Sequence, residues 1–498
     1  MRLIIFILFL MHFGQIFAQS AFYYSHIGPY SNEPNDLIEH ENGYLVVGYN
    51  SLGGPEGNGF LMMLDKKGDV LWEKIEEAPE PDKYEKYIAG TFHNGYFYVG
   101  GYRWLNNQRR NLLLKVNPIS GNIIWKKVFG ELPVLGGDNH IQDIHPNEEG
   151  LLIAASGFDS TSMSTVAEFI QIDLEANVLW KKIYSADLTE TKYSDRLSKI
   201  ESMEEGYLLT MDSRDVPEWQ VDKYIIKVDK NGNEIWRKNM SGYQSSSLAP
   251  SDSLFVFQSA TPYKSNHIVS FFLIVNITDS TYTENQVLIE FDEYGNEIDY
   301  VKFQEKSAFP FSDIFVNNNS EIFVLSQQEL DSPFYTQLYA AKFNLDKELV
   351  WEKDYGEKDI TEFYFCGTLT SDGGVLIGGR DLLYEPGNIR FYSILVKTDC
   401  EGNTDWNYES CFNPNFDEVT LFPNPFSNQI NIHIPNIPEN NEIKVKIFNS
   451  IGRLVTNEIF YDSQAIQLNV GNYAKGIYYC SIELNGKIIA NKKLVKAN

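Results

Sequence analysis

The chain of 498 residues has four cysteines, too few for a scaffold built on disulfides. Positive charge is also scarce, because 41 Lys and Arg stand against 68 Asp and Glu and leave a formal net charge of -27. An acidic surface of this size disfavours nucleic acid and anionic membranes as partners. Beyond residue 18 no stretch is apolar and long enough to span a bilayer. Aromatic residues make up 14% of the sequence, which is typical of a folded globular chain.

Motifs for common chemistries are missing as well. The sequence has no His-Glu-x-x-His, no Gly-x-Ser-x-Gly, no phosphate-binding Gly-Lys-Ser/Thr loop and no Cys-x-x-Cys. We therefore predict no catalytic residue and no cofactor. The densest polar cluster is Asp138, Asn139, His140, Asp143 and His145. On a strand, Asp143 and His145 would face the same side and could bind a metal. We favour the alternative that they are solvated side chains on a rim strand, and we predict no metal.

Residues 1–18 have the pattern of a secretory signal. Arg2 precedes the apolar run from Leu3 to Met11, and a small residue, Ala18, marks the exit. A buried first strand is the alternative. The signal predicts a mature chain that begins at Gln19 outside the cytoplasm, where an oxidising environment would permit a bridge between Cys400 and Cys411.

A short cassette recurs along the chain and predicts a repeat architecture. Each copy starts with Asp or Asn in a turn and, in six copies, ends on a Trp. The seven copies run from Asp65 to Trp72, Asn117 to Trp125, Asp173 to Trp180, Asp229 to Trp236, Asp292 to Asp299, Asn344 to Trp351 and Asp399 to Trp406, at intervals of 52, 56, 56, 63, 52 and 55 residues.

Each repeat contains four predicted strands, which is typical of a β-propeller. In the first repeat they are Asp36–His40, Tyr44–Gly48, Phe60–Leu64 and Val70–Ile75. The fifth repeat, about Ser251 to Phe303, is the least regular. An additional N-terminal strand, Ala21–Gly28, could close the ring by joining the last blade. The pattern leaves open whether this strand replaces or flanks the strand of Trp406.

The cassette has a structural reading and a metal-binding alternative. The Asp side chain can accept backbone N–H groups, and Gly can adopt the positive φ that the hairpin needs. An EF-hand calcium loop is disfavoured, because the Gly comes too early and no Glu stands at the twelfth position. The Trp can lie between neighbouring blades and bury apolar area. The predicted inter-blade residues are Trp72, Trp125, Trp180, Trp236, Trp351 and Trp406.

The cassette resembles the tryptophan-docking repeat of the quinoprotein (PQQ) propellers, best from Val116 to Trp125, as a pattern over residues 21–410. The resemblance implies the fold. It does not extend to redox chemistry, because the adjacent cysteines and the haem-attaching Cys-x-x-Cys-His of that family are missing.

Residues 419–498 alternate with period two and have regular turns, which predicts a small β-sandwich after a linker at 412–418. An ordinary Ig-like adhesion module is one interpretation. The sequence closely resembles the type A C-terminal sorting domain of the type IX secretion system of Bacteroidetes. The residues that carry the resemblance are Pro423, Asn424, Pro425, Gly452, Gly476, Tyr478, Lys492 and Lys493. It implies recognition by the secretion machinery and export across the outer membrane, to the cell surface or the medium.

The predicted fold class is all-β: a seven-bladed β-propeller over residues 19–411, then an Ig-like sorting domain. Arginines and aromatics in loops between second and third strands are candidate binding residues, since binding patches favour both. They are Tyr102, Arg103, Trp104, Arg109, Arg110, Arg214, Trp219, Arg380, Tyr384 and Arg390. The favoured hypothesis is a binding or scaffold module for a glycan, peptide or surface partner. The alternatives are an extracellular polysaccharide lyase or hydrolase with its site in the funnel, and a structural surface-layer component.

Overall fold

A computed structural model describes most of the chain, and every regular element in the described part is a β-strand. The described residues are 21–26, 31–51, 57–76, 84–105, 108–129, 139–159, 164–185, 193–215, 221–241, 243, 253–264, 266–277, 282–304, 312–329, 335–356, 361–385, 388–404, 419–434, 442–449, 453–461, 465–484 and 487–496. The chain divides into two compact units, Met1–Tyr408 and Glu409–Asn498.

The first unit consists of small antiparallel sheets whose strands follow one another in sequence. Two four-stranded sheets come first: β2 (Ser31–His40), β3 (Gly43–Ser51), β4 (Gly57–Leu64) and β5 (Val70–Glu76), then β6 (Glu85–His93), β7 (Tyr96–Leu105), β8 (Gln108–Val116) and β9 (Ile123–Phe129). The next eight strands are β10 (His140–Asn147), β11 (Gly150–Asp159), β12 (Ser164–Ile172), β13 (Val178–Tyr184), β14 (Tyr193–Met203), β15 (Gly206–Asp215), β16 (Val221–Val228) and β17 (Glu234–Asn239).

Strands β10–β13 and β14–β17 are two four-stranded halves of one eight-stranded sheet. A single parallel pair, Thr165 with Ser194, joins β12 to β14. Two further sheets contain β18 (Ser253–Tyr263), β19 (His267–Ile277), β20 (Tyr282–Phe291) and β21 (Glu297–Gln304), then β22 (Asp313–Val316), β23 (Ile322–Glu329), β24 (Thr336–Phe343) and β25 (Leu349–Tyr355). The first of these agrees with the fifth repeat predicted at about Ser251 to Phe303.

The last sheet of this unit takes its outer strand from the beginning of the chain. It has the order β1 (Phe22–His26), β28 (Asn388–Lys397), β27 (Val375–Glu385), β26 (Thr361–Leu369). Because β1 pairs directly with β28, the predicted N-terminal strand occupies the fourth-strand position, and among the described strands it pairs with no other. Trp406, predicted for this position, lies outside the described residues.

Each sheet packs face to face against the next, and the last packs against the first. Leu45 and Phe97, from consecutive sheets, belong to one buried cluster, and similar clusters join each following pair. Phe22, Leu37 and Leu376 share the cluster that joins the last sheet to the first. The apolar strands predicted from the sequence are buried on both faces for this reason.

The cassette tryptophans lie in these interfaces. Trp72 covers Gly121 of the next cassette so closely that a Cβ there would stand 2.6 Å from the indole, and its Nε1 donates to Pro118 O at 3.0 Å. The same Nε1 donation runs from Trp236 to Glu293 O and from Trp351 to Cys400 O, at 2.9 and 2.8 Å. The glycine in each pair has positive φ and no side chain, and both properties allow the close approach.

In the last sheet Phe22 occupies the place of a cassette tryptophan. It pairs with Lys397, as Trp125 pairs with Lys115 and Trp351 with Lys342. Its ring lies against Gly68, the glycine of the first cassette. The N-terminal strand therefore repeats the interface geometry with a smaller aromatic ring.

The Asp carboxylates of the cassette turns accept hydrogen bonds from groups of the same turn. Asp229 Oδ1 accepts the backbone N–H groups of Asn231 and Asn233 at 2.9 and 2.8 Å, and its Oδ2 accepts the Asn233 side chain at 2.8 Å. Hydrogen bonds from the side chain and the backbone of Asn177 lower the pKa of Asp173 in the same way. The turn geometry thus accounts for the Asp and Asn residues without a bound cation.

One interface replaces the tryptophan–glycine pair with an ion pair. Asp299 stands where the other cassettes have Trp, and Lys347 stands where the next cassette would have Gly. Lys347 Nζ lies 2.8 Å from Asp299 Oδ2 and 2.5 Å from Glu290 Oε2, and Glu290 also contacts His267 at 2.8 Å. Burial opposes the charge on Lys347, but hydrogen bonds to Asp299 and Glu290 raise its pKa.

The second unit has two sheets around one core. A three-stranded sheet has the order β29 (Thr420–Phe422), β30 (Gln429–His433), β33 (Ala465–Asn469), and a four-stranded sheet has the order β32 (Leu454–Tyr461), β31 (Glu442–Asn449), β34 (Gly476–Leu484), β35 (Lys487–Lys496). Ile432 and Leu468 from one sheet and Val445 and Ile482 from the other belong to the same buried cluster. The alternation in the sequence places these residues inward.

Candidate functional site

The sheets of the first unit have two different ends. The cassette turns lie at one end, here called the turn end, together with the hairpins that join first and second strands, because consecutive antiparallel strands reverse direction. The opposite end, here called the loop end, carries the connections between second and third strands, such as residues 106–107 between β7 and β8. All predicted binding residues that the structure describes belong to the loop end.

These residues lie on strands, which corrects their prediction as loop residues. Strand β7 continues through Tyr102, Arg103 and Trp104 to Leu105, and Arg109 and Arg110 belong to β8. Arg214 belongs to β15, and Arg380 and Tyr384 belong to β27, while Arg390 belongs to β28. The antiparallel pairing continues to Leu105 and Gln108, and it places Trp104 opposite Arg109 and Arg103 opposite Arg110. Trp219 lies outside the described residues, as do the side chains of Tyr384 and Arg390.

Aromatic rings and an arginine form a cluster at the end of β7 and β8, here called the aromatic cluster. The rings of Tyr84 and Trp104 stack with centroids 5.4 Å apart and an interplanar angle of 10°. Trp104 N donates to Tyr84 O at 2.8 Å, which fixes the two residues together. The Arg109 guanidinium lies 4.8 Å from the ring centroid of Tyr102 and 5.6 Å from that of Trp104. These are cation–π distances, so the arginine and the rings hold one another in place.

Ion pairs fix the base of this cluster. Arg103 Nε donates to Glu85 Oε1 at 2.7 Å, and Lys126 Nζ donates to Glu85 Oε2 at 2.7 Å. The Glu85 side chain is only 4% exposed, so both oxygens need these partners. Arg103 is therefore a supporting residue, and it holds the strand end from which Tyr102 and Trp104 project.

A second charged group joins the first, second and last sheets. Tyr49 Oη donates to Glu33 Oε2 at 2.6 Å, and Arg380 pairs with the same Glu33. Lys86 Nζ lies 3.6 Å from the centroid of the Tyr49 ring. Burial lowers the pKa of Lys86, Glu33 opposes this, and the charges of Arg109 and Arg380 lower it further. Arg380, predicted as a binding residue, and Arg109 are thus both close enough to Lys86 to lower its pKa.

A polar cleft, here called the loop-end cleft, opens between the two halves of the eight-stranded sheet. Its described lining is His140, Ser156, Thr165, Ser194, Arg196, Asp212, Arg214 and Val221, and its cavity volume is about 30 Å³, room for about two water molecules. Cross-strand pairing places these groups: His140 lies opposite Ser156, Ser194 opposite Arg214, and Arg196 opposite Asp212. The cleft adjoins the aromatic cluster, because the rings of Tyr102 and His140 are 6.1 Å apart.

Hydrogen bonds within the cleft orient its lining. Ser156 Oγ lies 3.0 Å from His140 Nδ1, and it accepts the backbone N–H of His140 at 3.2 Å. Arg196 donates from Nε and Nη2 to Asp212 Oδ2 at 3.2 and 3.1 Å. The sequence interpretation included Arg214 and His140 but missed Arg196, Asp212 and Ser194. Their signal was the switch from apolar to polar residues toward the loop end of β14 and β15.

Two carboxylates on first strands, Asp36 and Asp143, are partly buried. Asp36 accepts the N–H of Leu37 at 2.8 Å and, from the next sheet, that of Gly90 at 2.7 Å. Asp143 similarly accepts the N–H groups of Ile144 and Ile200, both at 2.7 Å. Burial raises the pKa of Asp36 to about 7 and that of Asp143 to about 6, against the effect of these donors. The hydrogen bonds link neighbouring sheets, so both carboxylates have a structural role.

The polar residues weighed as a metal site have other partners. Asp143 and His145 face the same neighbouring strand, as predicted, where His145 Nε2 lies 2.7 Å from Ser202 Oγ. Within the described parts of the chain, no three His, Cys, Asp or Glu side chains are grouped so that they could hold a metal ion. Asp138 lies outside the described residues.

Cys400 is disulfide-bonded, while Cys366 and Cys480 are buried free thiols. Cys411 lies outside the described residues, so the Cys400–Cys411 pair stays a prediction. No helix in the described part of the chain is long and apolar enough to cross a membrane.

The motif residues of the second unit connect its first and last segments. Asn424 Nδ2 donates to Lys493 O at 2.8 Å, and Asn424 Oδ1 accepts Val495 N–H at 2.9 Å. Tyr478 is buried and donates to Ala474 O at 2.8 Å. Lys493 projects into solvent beside this junction, while Gly452 lies outside the described residues.

Residues 420–497 match the family described as the secretion system C-terminal sorting domain. The protein carries a type IX sorting tail. This tail indicates secretion through the type IX system to the cell surface or the extracellular space. The match covers the second unit and gives no information about what the first unit binds.

No curated protein sequence matches the chain. Solved structures similar to it include a polysaccharide lyase of family PL25, an ulvan lyase bound to a saccharide, at 11% identity and a TM-score of 0.47, over 76% of this chain and 97% of that one. The β-propeller domain of the Trilobed protease from Pyrococcus furiosus is similar at 11% identity and a TM-score of 0.36, over 77% and 98%. Sqt1 from Chaetomium thermophilum is similar at 10% identity and a TM-score of 0.41, over 77% and 99%. At these scores the similarities carry no argument about ligand or activity.

Proposed function

We propose that the protein is a secreted binding module, in which a seven-bladed β-propeller presents a ligand-binding surface at its loop end. The ligand is a glycan, a peptide or another partner at the cell surface. The observation that carries this proposal is the aromatic cluster of Tyr84, Tyr102, Trp104 and Arg109 beside the loop-end cleft. Aromatic residues and arginines are the residues that dominate binding surfaces, and here neighbouring strands hold them in place.

The remaining parts of the proposal concern the ends of the chain and its relatives. Residues 1–18 act as a signal peptide, 19–411 form the propeller, 412–418 are a linker and 419–498 are an Ig-like sorting domain. The propeller repeats are of the quinoprotein type, and the chain comes from a member of the Bacteroidetes. The residue pattern of the cassettes and of the sorting motif supports these assignments.

An enzyme with its site in the funnel is the second candidate, and one observation favours it. Asp36 and Asp143 have raised pKa values, a property that catalytic acids share. Against it, both carboxylates already accept two backbone N–H groups each, and His140 is paired with Ser156. Binding without catalysis is therefore the better-supported function.

Arrays of glycans and peptides probed with the purified chain test the proposal. We expect hits that Trp104→Ala abolishes, because that change removes the stacked ring. Tyr294→Ala is the matched control, since Tyr294 is an aromatic residue exposed in a cassette turn at the opposite end. Hits that both variants retain would place the binding surface elsewhere, and hydrolysed or eliminated products among the glycans would favour the enzyme.

The sorting domain has a separate test. Deletion of residues 419–498 should leave the protein inside the cell envelope, whereas the full chain reaches the surface or the medium. Normal export of the shortened chain would contradict the role given to this domain.

A further inference from the structure

We propose that the aromatic cluster and the loop-end cleft form one subsite for an anionic saccharide, with the sugar ring against the aromatic side chains and its carboxylate or sulfate in the cleft. This inference rests on the proposed binding function and specifies its ligand. It is carried by three features of the site: the charge of the cleft, the hydroxyl groups in it, and the position of the aromatic rings.

The charge of the cleft is opposite to that of the chain. Among the described residues, the lining contains two guanidinium groups, those of Arg196 and Arg214, and one carboxylate, that of Asp212. The whole chain has a net charge of -27. A basic cleft in such a chain selects an anionic group, and the planar fork of Arg suits the oxygens of a carboxylate or a sulfate.

The uncharged groups of the cleft favour a sugar over a plain anion or a peptide side chain. Ser156, Thr165 and Ser194 supply hydroxyls, which can both donate and accept, and Val221 is the single aliphatic residue in the lining. Asp212 can only accept when ionised, so it suits the hydroxyl donors of a ligand and repels a second negative charge. A ring with one acidic group and several hydroxyls fits this combination.

The aromatic cluster supplies the apolar part of the subsite. Tyr102 lies between the two features, with its ring 6.1 Å from His140 and 4.8 Å from the Arg109 guanidinium. Trp104 and Tyr84 are partly exposed and stack on each other, whereas Tyr102 is buried, so these two rings are the ones that a sugar can reach. A saccharide site needs apolar rings for the C–H face of the sugar and a few polar groups for orientation, and the site provides both side by side.

Titration of the full chain with four probes tests the inference. The probes are oligogalacturonate, a sulfated galacto-oligosaccharide, a neutral galacto-oligosaccharide and a poly-glutamate peptide. We expect binding of at least one of the first two and no binding of the last two. Which acidic probe binds distinguishes a carboxylate from a sulfate.

Variants locate the acidic group in the cleft. Arg214→Gln should weaken binding of the acidic probe about tenfold or more. Lys230→Gln removes the same charge from an exposed cassette turn and should leave binding unchanged. If Arg214→Gln lowers the yield of folded protein, a competition experiment on the unmodified chain replaces the variant. Sodium sulfate should then displace the probe more strongly than sodium chloride at equal ionic strength.

The outcomes distinguish this inference from the proposed binding function on which it rests. Binding of the neutral saccharide or of poly-glutamate that Trp104→Ala abolishes would overturn the anionic saccharide and leave the binding function intact. Acidic-probe binding that Arg214→Gln and Lys230→Gln weaken equally would also overturn it, because the attraction would then be unspecific. Hits on the arrays that are indifferent to Trp104→Ala would overturn both.

Discussion

The two ends of the sheets in the first unit use similar residues for different purposes. At the turn end, Trp72, Trp236 and Trp351 lie on or beside a backbone turn and donate to a carbonyl of the next cassette, and the arrangement recurs from sheet to sheet. At the loop end, Trp104 stacks on Tyr84 and no other sheet repeats this pair in the described residues. Recurrence therefore separates residues that join the sheets from the candidate binding residues.

The interface that contains Asp299 and Lys347 shows how strongly the turn end is constrained. Tryptophan and glycine are replaced together by a carboxylate and an ammonium group that pair at 2.8 Å. A side chain larger than the methyl group of Ala176, which lies in the same cluster as Trp125, would compete with an indole for this space. The repeat therefore preserves a contact between neighbouring cassettes, even where both residues differ.

The largest expected effect is the loss of a cassette indole. Trp351→Ala removes the ring that covers Gly402 and the hydrogen bond to Cys400 O, and should lower the free energy of unfolding of the first unit by about 3 kcal/mol. Guanidinium denaturation followed by fluorescence of the remaining tryptophans measures it. Trp351→Phe keeps an aromatic ring and should cost less than half as much. An unchanged midpoint for Trp351→Ala would show that the indole does not join the sheets.

The ion-paired interface should respond to a charge change with a somewhat smaller effect. Lys347→Met removes the cation that Glu290 contacts at 2.5 Å and leaves this buried carboxylate with His267 alone, at a cost of about 2 kcal/mol. Asp299→Asn should cost under about 1 kcal/mol, because the Asp299 side chain is 59% exposed. Denaturation midpoints of the two variants measure the contrast. Equal losses would show that Asp299, and not Glu290, is the important partner of Lys347.

The buried carboxylates that link first strands predict a dependence of stability on pH. The folded-state pKa of Asp36, about 7, lies above the ordinary value of 3.8, so its contribution to stability is present below pH 4 and is lost as the pH rises toward 7. We expect unfolding at pH 8 to need about 1–2 kcal/mol less than at pH 5. Asp36→Asn should flatten this slope, although it also weakens one hydrogen bond. Thermal unfolding at both pH values checks the sign of this pH dependence. Stability that rises from pH 5 to pH 8 would contradict the raised pKa of Asp36.

The smallest expected effect concerns the cassette turn without glycine. Ala176 has a φ of 58°, where the other cassettes mostly have Gly. Ala176→Gly should stabilise the first unit by about 0.5 kcal/mol, because glycine adopts this conformation without strain. The reverse change, Gly232→Ala, should destabilise, since the new Cβ would stand 3.0 Å from the Trp180 ring at a φ of 72°. Shifts of the same sign in both variants would rule out this explanation.

Much of the turn end could be predicted from the sequence, because its signals are local. An Asp or Asn starts each turn, Gly follows three or four residues later in five of the seven copies, and an alternating strand comes next, all within about ten residues. The four-strand repeats follow from the same patterns. The role of Phe22 could not be read in this way, since it depends on pairing with Lys397, a residue at the far end of the unit.

The candidate site was harder to predict, for a physical reason. Trp104 and Arg109 were recognised as unusual residues, but their strands were expected to end earlier, because polar residues at strand ends look like loops. Arg196 and Asp212 were missed because the polar residues at the loop end of β14 and β15 do not show which side chains pair across the two strands. The cleft exists only through the register of β14 with β15 and the single pair that joins β12 to β14.

The most direct test of the account is hydrogen–deuterium exchange of the full chain with and without the acidic oligosaccharide probe that binds it. We expect slower exchange at the loop end, at the end of β7 and at the starts of β8 and β14, with the cassette turns unchanged. Protection centred on the cassette turns, or protection spread evenly over both ends, would contradict it.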